Sequence, residues 1–333
     1  MTSFNAPLRA AVVGCGPIGQ LHAQVVAASP RATLVGVCDT DAERRRATAA
    51  PFGTTSFTDC GELLAAARPD VVLIATPDHA HVEPALLAIG AGCHVFCEKP
   101  LATSAAEAER IVRAAAQHGT HLAVNYNRRY GPGYRQAWKW LRRGRIGALD
   151  SLTFRICDPT PPARVARGPY VMLTTLLVHF LDLAGWYAGA IRRVRAKAGD
   201  AAPGGLVRQV SLWLETVDGP VATIESSYHD EQPHTTEWLS LIGANGSIVV
   251  EDISRRVALH SEESGARQVM TQDNFTMEQA IGASIAAHVN DFLNRLANNR
   301  PPRITGQDGL VGLRVAEAAV ESLTTGRTIE MPA

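Results

Sequence analysis

The sequence lacks the features that mark a nucleic-acid-binding, membrane or metal-finger protein. Lys plus Arg (32) equals Asp plus Glu (32), so there is no excess of positive charge for a polyanion or an anionic membrane. No apolar run approaches the ~18–20 residues of a membrane span, and no basic, then apolar, leader opens the chain. The six cysteines form no CxxC pair and no metal-finger spacing. We therefore expect a cytoplasmic protein with reduced thiols, without nucleic acid, membrane or metal as partner.

The length and the composition favour a two-domain globular protein. The chain has 333 residues, of which 46% are hydrophobic and 19% are charged. Strand-like and helix-like segments alternate over the first ~125 residues, which is typical of a doubly wound parallel sheet. We therefore predict an α/β dinucleotide-binding (Rossmann) domain over residues 1–125. Residues 126–333 would then form a second domain for substrate binding and oligomerisation, with its terminal helices packing back on the first.

A glycine-rich turn follows the first predicted strand. The apolar run Leu8–Val13 leads into Gly14-Cys15-Gly16-Pro17-Ile18-Gly19, and apolar residues then recur at helical spacing. In this motif the first glycine allows the tight turn, the second lets the backbone approach a pyrophosphate, and the third lets helix and strand pack closely. The helix N-terminus offers N–H groups to the phosphates. The cofactor-binding residues predicted here are Gly14, Gly16, Pro17, Ile18 and Gly19.

An acidic residue ends the second predicted strand. Asp39 follows Thr33–Cys38, about twenty residues after Gly19, where this motif places the carboxylate that binds the ribose hydroxyls. Such a carboxylate repels a 2′-phosphate, so NAD is favoured. Arginines 44–46 lie close by and leave NADP open, since an arginine here can hold that phosphate. An ordinary turn residue is the alternative interpretation of Asp39.

Two further strand ends carry polar residues. Thr76 and Pro77 follow the buried run Val71–Ala75, and His79 and His81 come just after them. The two histidines are two residues apart, which does not suit a metal pair on a helix, so we interpret them as capping or cofactor-neighbouring side chains. The run His94–Cys97 ends in Glu98-Lys99-Pro100. Ligands of such sheets bind beyond the carboxyl ends of the strands. We therefore predict that Thr76, Pro77, His79, His81, Glu98 and Lys99 contact the cofactor.

Lys99 is the predicted proton-transfer residue. A lysine in a poorly hydrated cleft can have a lowered pKa and then exchange protons near neutral pH. An ordinary surface lysine at a strand end is the alternative interpretation.

At these residues the chain resembles the glucose–fructose oxidoreductase/inositol dehydrogenase (Gfo/Idh/MocA) family. The resemblance implies a nicotinamide-dependent dehydrogenase of sugars, cyclitols or related polyols, with Lys99 catalytic and a cis peptide before Pro100. It places Asn125, Asn127 and Arg128 beside the nicotinamide. It also implies a second domain built on a large, mostly antiparallel sheet that mediates oligomerisation, hence a homodimer or homotetramer. Four segments carry it: AAVVGCGPIGQLHA, VVLIATPDHAHVEPALLAIGAGCHVFCEKPLA, VNYNRRYGPGYRQAWKWLRRGRIGAL and DGLVGLRVAEAAVESLTTGRTIEMP.

The same resemblance selects residues on a helix predicted over Val171–Trp186. His179 matches a family histidine that acts as acid/base or as partner of a substrate hydroxyl, and Asp182 matches a following aspartate. The aspartate that the family carries four residues before this histidine is replaced by Thr175, which could hold a substrate hydroxyl but cannot act as a base. Taken without the resemblance, a single histidine on an apolar helix is more often a core residue.

The remaining candidates lie in predicted loops and strands. Arg164 and Arg167 occupy a Pro/Gly-rich loop and could clamp a substrate carboxylate or phosphate, although two solvated arginines are an equal alternative. His229, His234 and Glu237 are interpreted as exposed polar loop residues, with substrate contacts as the alternative. Predicted strands cover Val207–Val217, Pro220–Tyr228, Glu237–Gly243 and Ser247–Glu251, and predicted helices cover Ser284–Leu296 and Asp308–Leu323.

The sequence thus predicts an NAD(P)-dependent oxidoreductase that transfers a hydride between a nicotinamide and a secondary alcohol or ketone of a sugar, cyclitol or sugar acid. Lys99 and His179 are the catalytic candidates. Lys99, Arg164, Arg167, Thr175, His179 and Asp182 are the substrate candidates. Two alternatives stay open from the residues: a reductase of an imine or enal on the same scaffold, and a nicotinamide-binding sensor without turnover.

Overall fold

A computed structural model describes residues 6–159, 170–200, 207–228, 235–253, 255–261, 267–271 and 276–332. The chain divides into two compact units. The first unit contains the residues up to Tyr126 together with Ile285–Leu313, and the second contains Asn127–Ser284 together with the residues from Arg314 onward. Arg164, Arg167, His229 and His234 lie outside the described residues.

The first unit is built on a six-stranded parallel sheet with the order β3-β2-β1-β4-β5-β6. The central strands β1, β4 and β5 are almost entirely buried apolar residues, as a sheet covered on both faces requires. The strands are β1 Leu8–Val13, β2 Ala32–Cys38, β3 Ser56–Phe57, β4 Val71–Ile74, β5 His94–Cys97 and β6 Leu122–Val124. The helices between them are α1 Pro17–Ala28, α2 Ala42–Ala49, α3 Cys60–Ala67, α4 Val82–Gly90 and α5 Ala105–His118. The predicted doubly wound parallel sheet is confirmed.

The second unit is built on a nine-stranded, mostly antiparallel sheet with the order β14-β13-β12-β11-β7-β10-β9-β8-β15. Among the described strands of this sheet, β7 and β10 form the one parallel pair. The strands are β7 Leu149–Asp158, β8 Ile191–Ala198, β9 Gln209–Thr216, β10 Val221–Tyr228, β11 Thr236–Gly243, β12 Gly246–Glu251, β13 Arg256–Ser261, β14 Arg267–Thr271 and β15 Ile329–Glu330. The helices are α6 Pro132–Arg142, α7 Val171–Thr175 and α8 Val178–Ala188. The expected large antiparallel sheet is confirmed.

Two long helices each have residues in both units. α9 spans Met277–Ala297 and changes unit after Ser284, and α10 spans Gly306–Thr325 and changes unit after Leu313. Glycines on α10 pack closely in the first unit: a Cβ on Gly306 would lie 2.2 Å from Leu122 Cδ2, and one on Gly312 would lie 2.4 Å from the Tyr126 hydroxyl. Small residues therefore let this helix approach the chain around the end of β6.

One helix prediction is wrong. The segment expected as a single helix over Val171–Trp186 forms two helices, α7 and α8, separated by Leu176 and Leu177. Leu177 N–H donates to the Met172 carbonyl, five residues earlier, at 2.9 Å, so the backbone leaves the regular α-helical register at this point. The residues here are all compatible with a helix, and nothing in the local sequence marks the break.

Candidate active site

The glycine turn is shaped by backbone contacts rather than by side chains. Gly14 has φ +96°, and a Cβ on it would lie 2.5 Å from the Ala75 carbonyl carbon at the end of β4. A Cβ on Gly19 would lie 1.8 Å from the Gly14 carbonyl oxygen, so only glycine lets α1 start this close to β1. A Cβ on Gly16 meets nothing within 4 Å. The first and third glycines therefore serve the packing, and the second keeps a surface open.

That open surface has the chemistry of a phosphate site. Gly16 is the N-cap of α1 and Pro17 is its first residue, so the first N–H groups of the helix receive no capping side chain. The N-terminus of a helix carries unpaired N–H groups and a partial positive charge, which together favour an anion. Pro17 and Ile18 are exposed on this turn. The turn therefore fits the pyrophosphate of a dinucleotide.

Asp39 is joined directly to the glycine turn. One carboxylate oxygen, Oδ2, accepts the Cys15 N–H at 2.7 Å, and the other, Oδ1, accepts the Asp41 N–H at 2.8 Å. Each carboxylate oxygen has a further lone pair, and the residue is half-buried, so the group can also accept from ribose hydroxyls. Arg45 Nη1 instead donates to the carbonyls of Asp39 and Thr40, at 3.3 and 3.2 Å. These contacts suit an unphosphorylated ribose.

The turn after β4 and the segment after β5 are linked by His81. Its Nε2 lies 2.9 Å from the Thr76 carbonyl oxygen, and its Nδ1 lies 2.8 Å from the Pro100 carbonyl oxygen. Burial lowers the pKa of His81, and these two carbonyls oppose that effect. His81 precedes α4 but makes no capping hydrogen bond, so the capping interpretation is wrong for this residue. His79, by contrast, has a side chain that is 63% exposed and lies 3.7 Å from Asp78 Oδ1.

Lys99 follows the end of β5 and is half-buried. The peptide bond between Lys99 and Pro100 is cis, as the family resemblance implies. Glu98 accepts hydrogen bonds from His22 Nε2 at 3.0 Å and from Asn125 Nδ2 at 2.6 Å. Burial acts to raise the pKa of Glu98, but these hydrogen bonds and the neighbouring Lys99 outweigh it, and the pKa lies below its ordinary value. Lys99 therefore stands next to a carboxylate that keeps its charge.

All these segments leave the same edge of one sheet. The six strands are parallel, so their carboxyl ends lie at the same edge of the sheet. Five predicted features follow these ends: the glycine turn after β1, Asp39 after β2, Thr76 after β4, Lys99 after β5 and Asn125 after β6. The strand order reverses between β1 and β4, the place where such sheets bind their ligands. Within the first unit, the structure thus brings the predicted cofactor residues and Lys99 to one edge.

In the second unit, Arg128 is committed to a buried ion pair. Its Nη2 and Nε lie 2.5 and 3.1 Å from Glu237 Oε1, and Tyr134 donates to Glu237 Oε2 at 2.8 Å. Burial acts to lower the pKa of Arg128, but Glu237 outweighs it and raises the pKa. The interpretation of Glu237 as an exposed loop residue is wrong, because its side chain is fully buried on β11. Glu237, Leu239 and Leu241 share the inward face of that strand, a period-two signal that could have located the carboxylate.

Two more predicted site residues have partners of their own. Asp182 on α8 accepts from Arg129 Nε at 2.8 Å and Nη2 at 2.5 Å, and its side chain is 1% exposed. Asn127 Nδ2 donates to Ser284 Oγ at 2.7 Å. These contacts fix the side chains of Arg128, Asn127 and Asp182, and their contacts with cofactor or substrate stay predictions.

His179 and Thr175 lie at the break between α7 and α8. His179 is 4% exposed, and Thr175 Oγ1 donates to the Val171 carbonyl at 2.8 Å. Burial raises the pKa of Tyr228, and a hydrogen bond with Thr175 opposes this rise. Tyr228 belongs to this polar group and was not predicted from the sequence, although it ends β10 at an inward-facing position. The position occupied by an aspartate in the family thus carries a hydroxyl pair here.

Some classes of site are absent from the part of the chain that the structure describes. No group of three or more His, Cys, Asp or Glu side chains in the described ranges is arranged to hold a metal ion. Among the same residues, no helix has the length and apolar character needed to cross a membrane. All six cysteines are free thiols, and four of them are buried.

The first unit is a parallel sheet with a glycine turn, an aspartate and a lysine at the carboxyl ends of its strands. This combination is typical of a dinucleotide-binding oxidoreductase. Two family models agree with this class. Residues 8–126 match the oxidoreductase family with an NAD-binding Rossmann fold, and residues 134–249 match the GFO/IDH/MocA C-terminal domain. The chain belongs to the GFO/IDH/MocA oxidoreductase family, and its cofactor is NAD.

Named relatives cover almost the whole chain. The D-apiose dehydrogenase of Paraburkholderia graminis is 28% identical over 97% of this chain and 89% of its own length. The inositol 2-dehydrogenase of Rhizobium meliloti is 27% identical over 97% of this chain and 99% of its own. An oxidoreductase from Agrobacterium radiobacter, solved with NAD+, L-tartaric acid and magnesium, superimposes with a TM-score of 0.89 over 98% of both chains at 22% identity. That last likeness shows the shared fold.

Proposed function

We propose that this protein is an NAD-dependent dehydrogenase that oxidises a secondary alcohol of a sugar, cyclitol or sugar acid, or reduces the matching ketone. The relatives described above are named dehydrogenases of a sugar and of a cyclitol, which supports this substrate class. They give no support to an imine or enal reductase or to a sensor without turnover.

The observation that carries the proposal is the shared sheet edge of the first unit. The glycine turn is open at Gly16, Asp39 is fixed by the Cys15 N–H, and Lys99 leaves the strand next but one to β1. When NAD is bound, it supplies a hydride acceptor at the nicotinamide ring. The α1 N-terminus would hold the pyrophosphate, Asp39 the adenosine ribose, and the residues after β4 and β5 the nicotinamide end.

We assign proton transfer to Lys99. A lysine amine can accept the proton of a substrate hydroxyl during oxidation and return it to a carbonyl oxygen during reduction. The ionised Glu98 beside it favours the ammonium form, so the amine is well suited to hold a proton after it has taken one.

We assign substrate binding in the second unit to His179 and Thr175, and we extend this role to Tyr228. His179 is buried, and it would orient or assist the reacting hydroxyl. The Thr175 and Tyr228 hydroxyls would bind other hydroxyls of a polyol, because a hydroxyl oxygen has two lone pairs with which it can accept a substrate O–H. Arg164 and Arg167 remain predicted contacts for an acidic substituent.

We also propose that the protein forms a homodimer or homotetramer. The outward face of the nine-stranded sheet carries the large apolar side chains of Trp213 and Ile242, and Val217 lies in the turn directly after β9; all three are at least 50% exposed. Thr153 and Thr223 form a hydrogen bond at 2.8 Å on the same face. Light scattering on the purified protein tests this proposal, and a monomer at all accessible concentrations would contradict it.

The function is tested by following NADH absorbance with a panel of polyols, cyclitols and sugar acids. We expect turnover with at least one of them. With that substrate, Lys99→Met should lose about 10²–10⁴ in kcat while NADH binding persists. Lys139→Met is the matched control, because Lys139 is an exposed lysine on α6. If Lys99→Met retains the turnover of the Lys139 variant, Lys99 does not transfer the proton.

A further inference from the structure

A chain of buried polar side chains lies behind Glu98. The Glu98 cluster consists of Glu98, His22 on α1, Asn125 after β6 and His288 on α9. His22 Nε2 lies 3.0 Å and Asn125 Nδ2 lies 2.6 Å from the same oxygen, Glu98 Oε1, and His288 Nδ1 lies 3.0 Å from Asn125 Oδ1. His22, Asn125 and His288 are at most 1% exposed. Side chains from α1, from the segment after β6 and from α9 thus fix the position of one carboxylate, which itself follows β5.

The hydrogen bonds fix where the protons lie. Glu98 Oε1 can only accept when the carboxylate is ionised, so both His22 Nε2 and Asn125 Nδ2 donate. The Asn125 amide is then oriented with its oxygen toward His288, and His288 Nδ1 donates to it. His22 Nδ1 is buried without a hydrogen-bond partner, so Nε2 is the ring nitrogen that makes the hydrogen bond. The donors of these three hydrogen bonds therefore all point toward Glu98.

The surroundings make this arrangement costly to disturb. Phe96 packs its ring against His22, His288 and Phe292, with centroids 5.6, 4.8 and 5.4 Å apart, so the cluster is shielded from water on this side. In such a setting an ionised carboxylate needs its hydrogen bonds, since burial by itself favours the neutral acid. The Glu98 side chain is 12% exposed.

We propose that His22 and Asn125, with His288 behind Asn125, are positioning residues that keep the Glu98 carboxylate ionised and immobile beside Lys99. This inference rests on the proposed function, in which Lys99 exchanges a proton with the substrate. The titratable groups that face Glu98 are Lys99, His22, His81 and Cys97, and His288 faces it through Asn125. Of these, only Lys99 belongs to the proposed chemistry.

The first test needs no turnover, because lysine occurs only at positions 99, 139 and 197. The rate of acetylation of each lysine is measured by peptide mass spectrometry as a function of pH, with the exposed Lys139 and Lys197 as internal standards. Glu98→Gln keeps an acceptor for His22 and Asn125 but removes the charge. We expect the pKa of Lys99 to fall by about one unit, which is an approximately tenfold faster acetylation relative to Lys139 while Lys99 is mostly protonated.

In the same assay, His22→Phe should raise the pKa of Glu98, because one of the two hydrogen bonds to its charged form is lost. As Glu98 takes up a proton on acidification, Lys99 should become more reactive than in the wild type. His22→Gln is the rescue variant, since its Nε2 can replace the histidine donor. Unchanged Lys99 acetylation in both Glu98→Gln and His22→Phe would overturn the inference, whatever the enzyme does with polyols.

The second test follows kcat/KM as a function of pH with the substrate found by the panel. We expect His22→Phe to lower kcat/KM for oxidation about tenfold near neutral pH, because Glu98 and Lys99 are held less firmly. Its acidic limb should move downward, because Lys99 loses its proton at a lower pH when Glu98 is neutral, and the NADH affinity should change little. His94→Phe is the matched control, because His94 begins β5 and stacks on His121 at 5.1 Å, at the other end of the strand. If both variants lose kcat/KM equally and the acidic limb of the pH profile does not shift in either, His22 has only a structural role in the core.

The two tests separate the two possible failures. Altered Lys99 acetylation without turnover on any polyol would support the Glu98 cluster and contradict the proposed function. Turnover that depends on Lys99, with wild-type acetylation and a wild-type pH profile in His22→Phe, would support the function and contradict the inference. If His22→Phe does not fold, Asn125→Leu takes its place in both tests, because it removes the other donor to Glu98 Oε1.

Discussion

Gly16 offers the sharpest test of the cofactor site, because its role can be separated from folding. Its backbone is extended, at φ −68° and ψ −176°, which alanine also adopts. A Cβ at this position meets no protein atom within 4 Å. Gly16→Ala should therefore fold normally and keep its stability within about 1 kcal/mol of the wild type, since it only restricts the unfolded chain.

The same methyl group would occupy the surface to which the pyrophosphate binds. One hydrogen bond to a charged group is worth ~1.5–3 kcal/mol, and each ~1.4 kcal/mol is tenfold in affinity. We therefore expect Gly16→Ala to weaken NADH binding at least about tenfold in a fluorescence titration, with an unchanged melting temperature.

Two other glycines serve as references for this experiment. Gly90→Ala at the end of α4 also places its Cβ in open space and should change neither property. Gly19→Ala, whose Cβ would lie 1.8 Å from the Gly14 carbonyl oxygen, should lose stability and binding together. Wild-type NADH affinity in Gly16→Ala would refute the assignment of the phosphate site.

Three more predictions follow from named contacts. Asp39→Asn should shift the ratio of NAD to NADP affinity toward NADP by about tenfold, because the charge that repels a 2′-phosphate is gone; an unchanged ratio would place the ribose contact elsewhere. Glu237→Gln should lower the free energy of unfolding by about 3–5 kcal/mol, measured by urea unfolding and circular dichroism, because Arg128 is left buried without its counter-charge. Glu225→Gln should lower it by less than ~1 kcal/mol, because the pair of Glu225 with Arg155 is exposed. Equal losses in the two variants would contradict the argument from burial. Burial raises the pKa to about 11 for the thiols of Cys15 and Cys93 and to about 12 for that of Cys38. Maleimide at ~pH 8 should therefore label these thiols only after the protein is unfolded, and labelling of the folded protein would argue against their burial.

The first unit was predictable because its signals are local. Leu8–Val13 and His94–Cys97 are strands with the predicted bounds, since each is a buried run closed by a turn residue or a charged residue. Asp39 accepts a hydrogen bond from the Cys15 N–H of the glycine turn, a contact that the spacing alone did not predict. Here short-range patterns and the final packing agree.

The second unit was less predictable because long-range partners decide its polar residues. Glu237 looks like a strand-opening loop residue until Arg128, 109 positions earlier, is placed against it. Asp182 matched a family position, yet its two oxygens are held by Arg129, 53 positions earlier. Short edge strands such as Ile329–Glu330 carry too few residues to show a period of two and were missed.

The division of the chain into two units also determines which unit tryptophan fluorescence reports on. All five tryptophans, at positions 138, 140, 186, 213 and 238, fall in the second unit. Trp138 and Trp186 lie with parallel rings 5.3 Å apart, and arginine guanidinium groups lie over both rings. Intrinsic indole emission therefore reports on the second unit without any engineered label, while the first unit is silent at those wavelengths. A comparison of this emission with a signal from the whole backbone would show whether the two units melt together or in sequence.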